Sequence, residues 1–156
     1  MLSNEKKNIM FGDEVNTLFT NFGKGYWSKK AQKYVPSTKP LMNVDVPWVG
    51  EYVLSERAKS QTLELRQMMA TATDQQLRDY KLLQFDAVAA AGIFSYGSAA
   101  GVMVRSPYIV IDVDDLASSD EAREIQQTLV NDKEVVTALC FVSPKGLGVK
   151  WWAELP

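Results

Sequence analysis

The last third of the chain contains three runs of apolar, β-branched residues that predict strands, at 108–115, 135–142 and 149–155. The first run ends in a group of aspartates, and the third follows a turn rich in glycine. Between the first two runs, Ser118 and Glu121 have the spacing of a capping box, which predicts a helix from Ser118 to about Leu129. We therefore expect one compact unit of strand, helix, strand, turn and strand.

Helical periodicity dominates the middle of the chain. The segment 51–69 predicts a helix, and a second helix, capped by Thr73 or Asp74, is expected to run to about Leu83. Alternation between bounding glycines predicts a hairpin from 92–97 and 101–105, and 87–91 fits either a helix end or a strand. The expected inward-facing stripe of the first helix comprises Leu54, Ala58, Leu65, Met68 and Met69.

The first 50 residues have a less regular pattern. Residues 13–22 fit either a short helix or an edge strand, and Pro36, Pro40 and Pro47 mark an irregular connection. Helices and strands together indicate an α+β protein. At 156 residues we expect a single domain, 1–156, with a variable N-terminal part at 1–50. The abrupt end after a strand suggests the N-terminal piece of a longer protein.

The amino-acid composition limits which binding and catalytic sites this chain can form. The chain has 46% apolar residues, 23% charged residues and a net charge of −2, so a polyanion could be bound only by a local basic patch. The absence of histidine excludes imidazole bases and the usual zinc sites. The single cysteine, Cys140, is expected to be a buried structural thiol. No apolar run predicts a membrane span or a signal peptide, so we expect a cytoplasmic protein without membrane contact.

The aspartates Asp112 and Asp114 form the first candidate site. Alternation along the strand places both on one face, about 7 Å apart at their Cα atoms, so that their side chains can converge on a divalent ion. Unpaired, the two carboxylates would repel each other. We expect both to point towards the glycine turn. The alternative is an acidic surface turn that caps the following helix.

The turn from Ser143 to Lys150 forms the second candidate site. Its two glycines permit close backbone approach, and successive N–H groups in such a turn can bind an anion between flanking lysines. The alternative is a tight hairpin that needs glycine for geometry alone. The residues expected to bind phosphate are Ser143, Lys145, Gly146, Gly148 and Lys150.

A basic and aromatic stretch, 24–34, forms the third candidate site. Lysines that alternate with aromatic residues suit a segment that follows phosphates and stacks on bases of single-stranded nucleic acid. A hairpin with packed aromatic rings and solvated lysines explains the same pattern. The residues expected to contact nucleic acid are Lys24, Tyr26, Trp27, Lys29 and Lys30.

These motifs carry a resemblance. Ser95, the string 108–116, a helix and then 141–151 resemble the VirE N-terminal-like domain of Bacteroides mobile-element and phage proteins. That domain often precedes a VirE-type helicase, and it is similar to the primase-polymerase domains of the archaeo-eukaryotic primase superfamily. The resemblance covers roughly 51–155, and Val88-Ala89 departs from the Leu-Pro of the family pattern.

The resemblance implies an RRM-like antiparallel or mixed sheet with helices on one face. It also implies that Asp112 and Asp114 hold Mg²⁺ or Mn²⁺ for catalysis, and that the Ser143–Lys150 turn holds the nucleotide phosphates. Lys150 stands where related enzymes often carry histidine. A third acidic motif has no match in this chain unless Glu154 serves.

The function expected from the resemblance is DNA-templated nucleotidyl transfer in a mobile-element or phage replication protein. Its partners would be a nucleotide, DNA, in particular single-stranded DNA, and a VirE-type helicase domain in the same or another chain. The first alternative is a catalytically degenerate module that binds nucleic acid or recruits a helicase. A phosphohydrolase is a weaker option, because Leu116 replaces the Thr or Val of the phosphatase motif. Whether the isolated chain is an enzyme stays open.

Overall fold

The computed structural model describes residues 18–155. Helices α1 to α4 are Val46–Leu54, Glu56–Met68, Asp74–Gln84 and Ser119–Val130. The first five strands, β1 to β5, are Phe19–Gly23, Tyr26–Ser28, Lys33–Val35, Met42–Val44 and Ala87–Ala89. Strands β6 to β10 are Gly92–Phe94, Val102–Arg105, Tyr108–Val113, Thr137–Val142 and Val149–Glu154.

The expected α+β class is confirmed. The strands form two three-stranded sheets, in the orders β4-β1-β5 and β8-β10-β9, and two hairpins, β2-β3 and β6-β7. All the pairings are antiparallel. The strands are thus divided among small sheets instead of forming one RRM-like sheet, because strands as short as three residues alternate with turns. No helix in the span 18–155 is long and apolar enough to cross a membrane.

The C-terminal unit follows the order that the sequence predicts. Strand β10 lies between β8 and β9 and is antiparallel to both, so β8 and β9 are parallel to each other. Helix α4 begins after Ser118, whose hydroxyl accepts a hydrogen bond from the Glu121 N–H at 3.1 Å. It packs on one face of the sheet, where Gln126 Nε2 donates to the Cys140 carbonyl at 2.9 Å. Cys140 is only half-buried, and this burial raises the pKa of its thiol.

The opposite face of this sheet packs on the other three-stranded sheet. Phe19 of β1 meets Trp152 of β10 edge-on, with ring centroids 4.9 Å apart, and Tyr108 of β8 at 5.7 Å. Val44 and Val49 are buried in the same cluster. The core therefore covers only the end of the sheet face that carries Tyr108 and Trp152.

The predicted helix 51–69 is two helices. Ser55 ends α1 and begins α2, where its hydroxyl accepts from the Ala58 N–H at 3.1 Å. A serine that caps the backbone favours a new helix start over continuation. The stripe prediction is wrong at Leu54, which is 85% exposed, and right at Leu65, which is fully buried.

Two other predictions, both for residues before 50, differ from the structure. Residues 13–17 of the predicted segment 13–22 lie outside the described residues, and the remainder enters β1, which is the middle strand of its sheet and not an edge. The polar Asn21 can be buried in this central strand because its side-chain amide has a hydrogen-bond partner: it donates to Asp86 at 3.0 Å. Pro47 lies in the first turn of α1 instead of a loop.

The remaining elements agree with the sequence. Thr73 forms a capping box with Gln76 at the start of α3. The β6-β7 hairpin pairs Gly92 with Arg105, and 87–89 is a strand. The choice between helix end and strand for 87–91 is thereby decided by the pairing of β5 with β1.

Candidate functional site

A groove of about 1350 Å³ lies between the helices α1, α2 and α3 and the uncovered end of the β8-β10-β9 sheet. It forms because the large rings of Tyr108 and Trp152 pack in the core, whereas the residues further along β8 and β10 have no helix directly above them. The charged and hydroxyl side chains that line it include Lys59, Thr62, Arg66, Lys81, Asp86, Asp112, Asp114, Asp115, Ser143, Lys145 and Lys150. Both the acid strand and the glycine turn therefore open into one groove.

Asp112 has a cationic partner in the groove. It lies opposite Lys150 in the β8-β10 register, and Lys150 Nζ donates to Asp112 Oδ2 at 2.8 Å. Both side chains are partly exposed, at 37% for the lysine and 46% for the aspartate. Lys150 therefore offsets the repulsion that Asp112 and Asp114 would have if both were unpaired.

Asp114 lies just beyond the end of β8 and beside the glycine turn. Its Oδ1 is 3.1 Å from the place where a Cβ would stand at Gly148. Asp115 follows with a positive φ of 57°, which turns the backbone away from the strand direction towards α4. Asp112 and Asp114 are thus both at the glycine turn, as the two-residue period predicts.

The glycine turn is held by its own backbone. The Gly146 N–H donates to the Ser143 carbonyl and the Ser143 N–H donates to the Gly148 carbonyl, both at 2.8 Å. Two of the N–H groups expected to bind an anion are therefore engaged within the turn. Arg66 of α2 anchors it from outside, because Arg66 Nε donates to the Pro144 carbonyl at 3.0 Å. Any anion would be held mainly by the lysines and by the Ser143 hydroxyl.

Gly148 is needed for close approach of the turn to β8. A Cβ there would lie 2.6 Å from the Val113 carbonyl oxygen, so we expect Gly148→Ala to lower the free energy of unfolding by about 1–3 kcal/mol. Gly50 is a matched control in α1, where a Cβ would meet only Leu139 Cδ1 at 3.9 Å. Gly50→Ala should stabilise by about 0.5–1 kcal/mol, since alanine is the better helix former. Urea unfolding of both variants measures the difference, and equal stabilities would contradict this account of the turn.

Lys81 is a groove residue that sequence reasoning missed. It lies on α3 one turn after the buried Leu77, so a cation at an inward-facing helical position was the available signal. Burial, followed by the positive charges of Lys145 and Lys150, lowers the pKa of the Lys81 ammonium from its ordinary value. Asp114 opposes this effect. The glycine turn and α3 therefore act on each other electrostatically across the groove.

The basic and aromatic stretch forms the β2-β3 hairpin outside the main groove. Tyr26 and Trp27 are about half exposed, and Trp27 packs edge-on against Tyr34, with centroids 5.0 Å apart. Lys29 and Lys30 are exposed in the turn, and Lys24 is half-buried before β2. The structure is consistent with both interpretations of this stretch, the packed hairpin and the nucleic-acid contact. One ring pair is packed, while the ring faces and the lysines remain accessible.

A second, smaller groove lies between strand β3 and helix α3. Lys33 and Tyr34 of β3 line it together with Arg78 of α3. The two grooves share four residues: Lys81, Phe85, Asp86 and Ala87. The two grooves therefore adjoin at these four residues, whereas Tyr26, Trp27, Lys29 and Lys30 line neither groove.

The carboxylates present set limits on a bound metal. Within residues 18–155 there is no group of three or more His, Cys, Asp or Glu side chains that could hold a metal ion. Glu154 lies opposite Tyr108, four residues along β10 from Lys150, or about 13 Å, so it does not supply a third acid. Two carboxylates offer few oxygen ligands, so a cation such as Mg²⁺ would take most of its ligands from water and substrate phosphates.

Residues 81–156 match a family model described as BT4734-like, N-terminal domain. The matched segment begins at Lys81 and contains Asp112, Asp114 and the whole glycine turn. The C-terminal half of the chain is therefore similar to this family, which agrees with a Bacteroides-type domain. No curated protein and no solved structure matches the chain. The BT4734-like match leaves the hairpin β2-β3 and the helices α1 and α2 outside its bounds.

Proposed function

We propose that the groove binds a nucleotide together with Mg²⁺ or Mn²⁺. The chain would then be a primase-polymerase-like, VirE N-terminal-like domain of a mobile-element or phage replication protein, working in DNA-templated nucleotidyl transfer. The observation that carries the proposal is the convergence of opposite charges at one end of the sheet. Asp112 and Asp114 meet the glycine turn there, and Lys145 and Lys150 line the same groove. Carboxylates beside positioned cations suit a metal–triphosphate complex.

Each side chain has a distinct role in this proposal. Lys145 and Lys150 neutralise phosphate oxygens as point charges, and the Ser143 hydroxyl donates a hydrogen bond to the phosphate chain. Asp112 and Asp114 hold the cation and orient it towards those phosphates. The cation, when bound, would stabilise negative charge on the attacking and leaving oxygens.

The ion pair between Lys150 and Asp112 accounts for coupling between the two ligands. Without a ligand, the lysine occupies one oxygen of the carboxylate at 2.8 Å and competes with a metal ion for it. A phosphate in the groove offers Lys150 an alternative anionic partner and releases the carboxylate. Nucleotide and metal therefore each favour the binding of the other.

A single strand of DNA would follow the connected grooves. The exposed faces of Tyr26 and Trp27 offer stacking surfaces, and Lys29 and Lys30 lie in the adjoining turn. Stacking of a base on an aromatic ring contributes about 1–3 kcal/mol. The strand would then pass from the smaller groove, which Arg78 lines, along the shared Lys81 to the acid pair.

The second candidate function is a catalytically degenerate module that binds nucleic acid or recruits a helicase. Two observations favour it. Within the span 18–155 no group of three or more His, Cys, Asp or Glu side chains could hold a metal ion, and Asp112 already pairs with Lys150. Such a module would use the basic surface of the groove and hairpin, and would need no metal.

Thermal unfolding with ligands separates the two candidates. We expect Mn²⁺ and a nucleoside triphosphate together to raise the melting temperature by more than the sum of their separate effects, because each ligand completes the site of the other. A combined shift no larger than the sum, in a folded protein, would reject the metal–nucleotide function. Binding of a single-stranded oligonucleotide without metal, weakened by Trp27→Ala, would then support the module.

A further inference from the structure

Three lysines from separate parts of the fold approach the same region of the groove. Lys81 comes from α3 on the helical wall, Lys145 from the glycine turn and Lys150 from β10 on the sheet side. Their charges act on one another, since both Lys145 and Lys150 lower the pKa of the half-buried Lys81 ammonium. The sequence motifs assign the last two to phosphate and give Lys81 no role.

Salt bridges do not occupy all three of these lysines. Among the described residues, Lys150 forms a salt bridge with Asp112, whereas Lys81 and Lys145 form none. Asp114 opposes the lowering of the Lys81 pKa, but burial and the neighbouring lysines outweigh it. Holding a half-buried cation next to two others is unfavourable unless an anion joins them.

We propose that Lys81, Lys145 and Lys150 together bind a polyphosphate chain, with Lys81 reaching it from the helical wall. This inference rests on the proposed function and specifies its phosphate subsite, which it extends beyond the glycine turn. A chain of several phosphates offers oxygens both to the lysine of the helical wall and to the two lysines of the sheet side. Lys81 is then the residue that closes the groove around the phosphates.

Inorganic tripolyphosphate without any metal is the direct probe, because it carries the phosphate chain and no base or sugar. We expect Lys81→Gln to weaken its binding about tenfold at low salt, the loss expected for one charge-assisted hydrogen bond. Lys59→Gln is the matched control, since Lys59 lines the same groove from α2 but pairs with Glu56 at 3.6 Å. Its effect should stay below about twofold. Lys81→Arg, which keeps the charge, should restore most of the affinity.

Calorimetric titration of the full chain gives each affinity, and circular dichroism checks that every variant is folded. Unchanged tripolyphosphate binding in a folded Lys81→Gln variant would overturn the inference, as would an equal loss in Lys59→Gln. Competition identifies the natural source of the phosphates. Displacement by ATP assigns the subsite to a nucleotide, and displacement by a thymidine oligonucleotide assigns it to the backbone of a strand.

The tripolyphosphate test of this subsite can succeed or fail independently of the coupling test of the proposed function. If tripolyphosphate binding depends on Lys81 but Mn²⁺ and nucleotide show no coupling, the subsite stands and the metal role fails. If coupling is present and Lys81→Gln binds tripolyphosphate normally, the metal–nucleotide function stands without this subsite.

Discussion

Replacing Asp112 with asparagine is expected to abolish the coupling between Mn²⁺ and nucleoside triphosphate. The amide keeps the shape of the side chain but loses the charge that a hard cation requires. With coupling of about 1–3 kcal/mol in the natural protein, the variant should bind nucleotide with equal affinity in the presence and absence of metal. Fold stability should change by no more than about 1 kcal/mol, because the lost ion pair with Lys150 is partly exposed. Titration of nucleotide at several Mn²⁺ concentrations measures the coupling.

Two further variants show whether the loss arises from the metal site. Asp120→Asn removes an aspartate on α4 that pairs with Arg123 and lies outside the groove lining, so it should leave the coupling intact. Lys150→Met removes the lysine that competes with metal, so it should tighten Mn²⁺ binding in the absence of nucleotide. Coupling that survives Asp112→Asn would contradict the metal role of the aspartate. Weaker Mn²⁺ binding in Lys150→Met would contradict the competition between lysine and metal.

Leu65→Ala should lower the free energy of unfolding by about 2–5 kcal/mol, which is a large part of the typical total of about 5–15 kcal/mol. Leu65 is fully buried on α2, so truncation removes apolar contacts and leaves a cavity. Leu54→Ala makes the same chemical change at a position that is 85% exposed, and it should alter stability by no more than about 0.5 kcal/mol. The sequence stripe gives these two leucines the same role, whereas the structure separates them.

Urea unfolding followed by tryptophan fluorescence measures both variants. The slope of the transition should stay close to that of the natural protein, so that midpoints report stability directly. Equal losses in the two variants would mean that α1 and α2 form the single amphipathic helix that the sequence pattern predicts. A small loss in Leu65→Ala would mean that α2 contributes little to the core.

Prediction succeeded best where local signals agree with one another. The segment from β8 to β10 combines β-branched runs, a capping serine at Ser118 and glycines at the turn, and each of its elements appears where the pattern indicates. Prediction failed at Leu54, because periodicity continues through Ser55 while the backbone ends one helix there and begins another. It also failed at β1, where a short helix or an edge strand was expected but the structure has a central strand with Thr20 and Asn21 fully buried.

Some features of the candidate site were likewise predictable from the sequence, and others were not. Strand alternation was enough to place Asp112 and Asp114 together beside the glycine turn. It did not reveal the ion pair with Lys150, which depends on the register between β8 and β10. Lys81 could not be joined to the site from sequence, because α3 and the glycine turn are about 60 residues apart along the chain and meet only through packing.

The sequence by itself determined the secondary structure of the C-terminal unit, the common face of the two aspartates and the exclusion of histidine chemistry. These follow from backbone periods, capping and composition, which act over a few residues. The tertiary structure decided which end of the sheet stays open, since Phe19 and Trp152 pack over one end of the face and leave the other to the groove. It also decided that Lys81, Lys145 and Lys150 face the same space, because electrostatic neighbours across a groove are set by the packing of α3 against the rest of the fold.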